Sequence, residues 1–133
     1  MNNEKLLGFT LIKIASAYMI LGLLMGIGMG ITQNFSLSSV HSHISLLGWL
    51  TMAVTGIIYT LFPGYTQGTL PKVHFWLHNI GLPIMMIGLA MFLLGYTQIM
   101  KVIASGSLLI LIGLAAFAIN LIIGGKPPVI GDR

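Results

Sequence analysis

The chain contains no cysteine. That absence excludes disulfides, thiolate metal sites, iron–sulfur clusters and covalently attached haem. Charge is almost as scarce, at 6% of 133 residues, against about 25% in a soluble domain. The only acids are Glu4 and Asp132, one near each end, so no carboxylate lies inside an apolar run. The intramembrane carboxylate on which proton pumps rely is therefore missing. Six Lys and Arg give a formal charge of +4. They are too few and too scattered for a nucleic-acid surface, and bear instead on membrane topology.

What the sequence has in place of charge is apolar length. Hydrophobic residues make up 56% of the chain. Four runs stand out, at 6–31, 39–62, 73–95 and 102–123, each meeting the roughly 20 residues a helix needs to cross the hydrocarbon core. The breaks between them, "TQNFSLSS", "PGYTQGTLPK" and "YTQIMK", carry turn-forming residues. These features predict an all-α integral membrane protein, one domain over 1–133, built as a bundle of four antiparallel transmembrane helices. The first run is too long for a signal peptide, is interrupted by Lys13 and has no small-residue cleavage site after it. Lys5, Lys13, Lys72, Lys126 and Arg133 fall at one end of such a bundle and Lys101 at the other. The positive-inside rule then places both termini in the cytoplasm, across a multi-pass span of the cell membrane.

Small residues recur at helical spacing. Gly22, Gly26 and Gly30 fall four apart and Gly81, Gly88 and Gly95 seven apart, patterns that let helices approach closely. The nine Met read as adaptable filler between helices.

Four histidines are the chief ionisable groups in or near the spans. His41 and His43 open the second run, at the end expected to lie outside. Two residues apart on a helix, they diverge by about 200° and cannot chelate one ion together. Imidazole is an axial ligand for haem iron and suits copper and zinc; the other reading is a wet interfacial pair bonded to loop serines. His74 and His78 are four apart on the third run, on one helix face. That spacing can grip one metal ion. Alternatively His74 is interfacial and His78 hydrogen-bonds another helix. Placed near the inner face, this second pair is expected a helix length away from the first.

The stretch "HSHISLLGWLTMAVTGIIYTLFPGYTQG" followed by "KVHFWLHNIGLPIMMIGL" resembles the tenth and eleventh helices of subunit I of haem–copper oxidases. The closest form is the cbb-type and nitric-oxide-reductase branch. The likeness covers about residues 41 to 95 and rests on the H-x-H at 41–43, Gly48, the G-x-x-Y at 56–59, the closing L-F-P and the K-x-H-F-W-L that follows. It implies that His41 and His43 are haem-iron ligands, the first of the high-spin and the second of the low-spin haem in the family. The copper-centre histidines of the family have no counterpart, and neither does His78.

The family subunit has twelve helices in three arcs of four, so this chain corresponds to one arc and three copies would rebuild the ring. The resemblance thus implies a homotrimer in the lipid bilayer, in which His43 of one protomer and His41 of the next clamp one haem b, one haem per protomer. Such a protein would be a b-type cytochrome for electron transfer or storage, with Ser39, Ser42 and Ser45 near enough to bond its imidazoles. The alternatives are a haem-based enzyme or sensor for oxygen or nitric oxide, and a haem- or copper-handling partner in oxidase assembly. Thr51, Thr55 and Tyr59 add a polar line on the same helix, expected to bond back to the carbonyl four residues earlier.

Overall fold

A computed structural model of the chain describes residues 3–124, with side chains from residue 6 onward. Lys126 and Arg133 and the side chain of Lys5 fall outside the described part. Within it, four long helices follow one another and there is no strand. They are α1 (Asn3–Thr32), α2 (Ser38–Leu61), α3 (Leu70–Leu93) and α4 (Met100–Ile123). Single 3₁₀ turns at Pro63–Thr66 and Thr97–Ile99 lead into α3 and α4. All four helices are long and apolar enough to cross a membrane. The chain is an all-α, four-helix membrane protein.

The third helix runs over Leu70–Leu93 rather than 73–95. It gains a turn at its start because Pro71 sits where no N–H partner is needed. It ends early because Gly95 adopts φ +106°, a left-handed turn conformation that only glycine takes without strain. Gly95 is therefore a stop and not part of a packing stripe.

Close backbone approach organises the bundle into two tight pairs, α1 with α2 and α3 with α4. A Cβ on Gly81 would lie 2.8 Å from the Gly106 carbonyl oxygen, and one on Gly106 would lie 2.5 Å from the Met85 backbone nitrogen. Across the other pair, a Cβ on Gly56 would lie 2.9 Å from the Gly8 carbonyl oxygen, and Gly48 accepts the ring of Tyr18. Of the stripe on α1, Gly22 and Gly26 face Ser45 and His41, while Gly30 has open space beside it.

The core joins the two pairs through Leu11, Val40, Met52, Tyr59, Leu82 and Met86. The opposite faces stay apolar, with Leu24, Ile31, Leu61, Leu111 and Ile122 more than half exposed. In water that surface would oppose solubility; in hydrocarbon it is the face that lipid solvates.

The middle of α2, Ile44–Thr51, is π-helical. The wider turn shows in Thr51, whose hydroxyl donates to the Leu46 carbonyl five residues back at 2.8 Å. Such segments are uncommon and gather at functional sites. A side-chain donor reaches this one from α3, where His78 Nε2–H meets the Leu47 carbonyl at 3.0 Å. Insertion of a donor into the carbonyl ladder is a recognised cause of such distortion.

Candidate functional site

The outer pair lies in the six-residue α-helical start of α2, Ser38–His43, so the expected divergence holds. Both rings are half-buried. His41 turns toward α1, where its Nδ1–H donates to the Gly22 carbonyl at 2.9 Å. Its ring lies over Gly26, where a Cβ would come within 3.2 Å of Cε1. His43 turns the other way, and its Nδ1–H donates to the Ser39 carbonyl at 2.7 Å. A carbonyl can only accept, so in each neutral ring Nδ1 carries the proton and Nε2 presents a bare lone pair. This is how metal-ligating histidines are commonly held, with the second nitrogen tied to a backbone carbonyl. The expected serine hydroxyls play no part. Ser42 bonds back to the Ser38 carbonyl, and among the described residues the serine group that meets an imidazole is the backbone carbonyl of Ser39.

The inner pair differs from the expectation in place and in burial. His74 and His78 are both 0% exposed, so both face the interior of the bundle and not its surface. Because α3 begins at Leu70, both rings enter the bundle about a turn deeper than a start at 73 would put them. His78 indeed bonds another helix, and its partner Leu47 is only four residues from His43, about 6 Å along α2. His78 thus approaches the level of the outer pair, while His74 lies beside Tyr59, sixteen residues beyond His43 on α2. His74 Nδ1 faces the Tyr59 hydroxyl at 3.3 Å, its ring tilted against Phe117 with centroids 5.1 Å apart. The imidazoles of His74 and His78 meet edge to face, 5.6 Å between centroids.

Two residues complete this cluster that the sequence reading did not single out. Asn120 is the one amide in the fourth apolar run, and a polar residue inside a span is itself a functional signal. It is buried and donates Nδ2–H to the Tyr65 carbonyl at 2.6 Å. Phe117 packs edge-on against Tyr59. The expected hydroxyl line is broken up accordingly. Thr51 bonds five residues back, Thr55 bonds Met52 three back, and Tyr59 leaves its helix for His74.

Among the described residues no three His, Cys, Asp or Glu come together as a metal site. Haem needs no such cluster. It needs one imidazole with a bare nitrogen on each open side of the iron, and His41 and His43 each offer one; the residues present fit the group. Comparison with protein families, with curated proteins and with solved structures finds no match to this chain.

Proposed function

We propose that the protein is a membrane b-type cytochrome that stores or transfers single electrons, with His41 and His43 as haem-iron ligands. The observation that carries this reading is the shared posture of the two outer imidazoles. Each has Nδ1 fixed on a backbone carbonyl, at 2.9 Å for His41 and 2.7 Å for His43, and Nε2 bare. The likeness of residues 41 to 95 to haem–copper oxidase subunit I supports it further. When bound between two imidazoles, haem supplies a one-electron couple with no open position for substrate.

The residues of the chain do the rest. The Gly22 and Ser39 carbonyls orient the ligands and raise their basicity. Gly26 gives the His41 ring a flat seat on α1. The two imidazoles diverge on one helix, so neither can serve the iron held by the other within a protomer. A homotrimer in which His43 of one protomer meets His41 of the next satisfies both, with one haem b per protomer. It also closes by symmetry. Both termini lie in the cytoplasm in this arrangement, placing the outer pair at the far side of the cell membrane.

The test is optical. Protein purified in detergent with haem b should give a low-spin bis-imidazole spectrum that carbon monoxide leaves unchanged. His41→Ala and His43→Ala should abolish or shift it, and His74→Ala should not. A Soret band unchanged in both outer variants would refute the assignment. A carbon-monoxide-binding, high-spin spectrum would turn the reading toward an oxygen- or nitric-oxide-reactive protein.

A further inference from the structure

The inner cluster contains two buried nitrogens, His74 Nε2 and His78 Nδ1, that have no hydrogen-bond partner among the described residues. Buried polar atoms without partners are rare and each calls for a ligand or a cost. The neighbouring bonds assign what each nitrogen is. His78 gives its Nε2–H to the Leu47 carbonyl, so in the neutral ring Nδ1 is an acceptor.

His74 is fixed by Tyr59. Among the described residues the Tyr59 hydroxyl meets one hydrogen-bond partner, His74 Nδ1 at 3.3 Å, and its single proton goes there. His74 therefore carries its own proton on Nε2. One nitrogen is a donor in need of an acceptor. The other, one helical turn away on the same face, is an acceptor in need of a donor.

We infer that His74 and His78 enclose one water molecule, which accepts from His74 Nε2–H and donates to His78 Nδ1. Water is the ligand that satisfies one donor and one acceptor at once, and a buried water typically makes about three such bonds. A metal cation fits worse on two counts. It would need lone pairs on both nitrogens, which forces His74 to donate from Nδ1 and leaves the Tyr59 proton without an acceptor. It would also bring charge into a bundle whose only two acids, Glu4 and Asp132, are near the chain ends, so nothing would neutralise it. The completed chain runs from the Tyr59 hydroxyl through His74, the water and His78 to the Leu47 carbonyl. A backbone carbonyl does not pass a proton on, so the water is a fixed structural ligand that ties α2 and α3 together.

Infrared spectra of the full chain in lipid bilayers, recorded in H2 16O and H2 18O, test this directly. An O–H stretching band that shifts with the oxygen isotope is expected in the wild type and in His41→Ala, and is expected to be lost in His78→Phe and His74→Phe. Isotope-sensitive bands identical in wild type and His78→Phe would overturn the inference. Nitrogen-15 NMR of histidine-labelled wild-type protein serves if the Phe variants do not fold. It should show His74 and His78 both as Nε2–H tautomers, with a water contact at His74 Nε2–H. Absence of that contact, or copper or zinc in one-to-one ratio with the purified chain, would overturn it as well.

Discussion

His78 of α3 donates its Nε2–H to the backbone carbonyl of Leu47 in α2, 3.0 Å away. The bond crosses between the two tight helix pairs at the π-helical segment Ile44–Thr51. It gives the Leu47 carbonyl a side-chain donor from the neighbouring helix.

His78→Phe keeps the bulk and removes the side-chain donor to the Leu47 carbonyl. The expected loss is about 0.5–1.5 kcal/mol, the net range for one intramolecular hydrogen bond. His78→Gln, which keeps an N–H, should lose less. Thermal unfolding in detergent, followed by circular dichroism, measures both; equal stability of His78→Phe and wild type would mean that the bond contributes nothing.

The glycine contacts lead to a second prediction. A methyl on Gly106 would sit 2.5 Å from the Met85 backbone nitrogen, and backbone cannot swing aside as a side chain can. Gly106→Ala should force α3 and α4 apart, at a cost of about 1–3 kcal/mol, as for other overpacked interiors. Gly30→Ala, with open space at the same test position, should leave stability unchanged or slightly raised. Denaturant titration of the two variants side by side separates a specific close contact from a general intolerance of larger residues.

The contrast between those two glycines also shows what was legible in the sequence. Apolar length and charge scarcity reveal the four spans, because a bilayer constrains length and polarity one helix at a time. The H-x-H pair is visible for the same reason, since imidazoles in an apolar run need a purpose. Which glycine of a stripe touches a neighbour depends on helix rotation, and the sequence does not contain it; Gly26 meets His41 while Gly30 meets nothing. The inner cluster was half visible. His74 and His78 are marked by their spacing, but their depth follows from a helix start that Pro71 shifts to Leu70. Phe117 reaches His74 from 43 positions further along the chain through tertiary packing alone.

Topology provides a third prediction. The first turns of α1 and the start of α3 lie at one end of the bundle, where Leu6, Leu7, Thr10, Lys72, Phe75 and Trp76 border a common cavity. Lys72 is exposed there and Lys101 is exposed at the start of α4, the opposite end in an antiparallel bundle. The positive-inside rule, applied to the six cations of the sequence, predicts that the end bearing Lys72 faces the cytoplasm. A phosphatase fused after Arg133 should be inactive and a fluorescent protein at the same point should fluoresce. The reverse pattern would invert the molecule and place the outer histidine pair on the cytoplasmic side.

The last prediction concerns the shared haem. His41 leans on α1 of its own chain and His43 bonds back within α2, so under the proposed function the two bare nitrogens of one protomer would serve two different irons. If each iron takes His43 from one chain and His41 from the next, His41→Ala and His43→Ala each destroy every complete site when expressed alone. Co-expressed, they restore one site wherever the intact His43 of the first variant faces the intact His41 of the second. A closed ring of three containing both variants has one such interface, so about a third of the wild-type bis-imidazole signal is the upper bound for recovery. Haem bound across an interface also stabilises it by mass action, so removing haem should loosen the oligomer. A haem held within one protomer predicts no recovery on mixing and a spectrum that survives dilution to monomer. Native mass measurement decides between them, and a haem-loaded monomer would dismiss the shared site while leaving His41 and His43 as ligands.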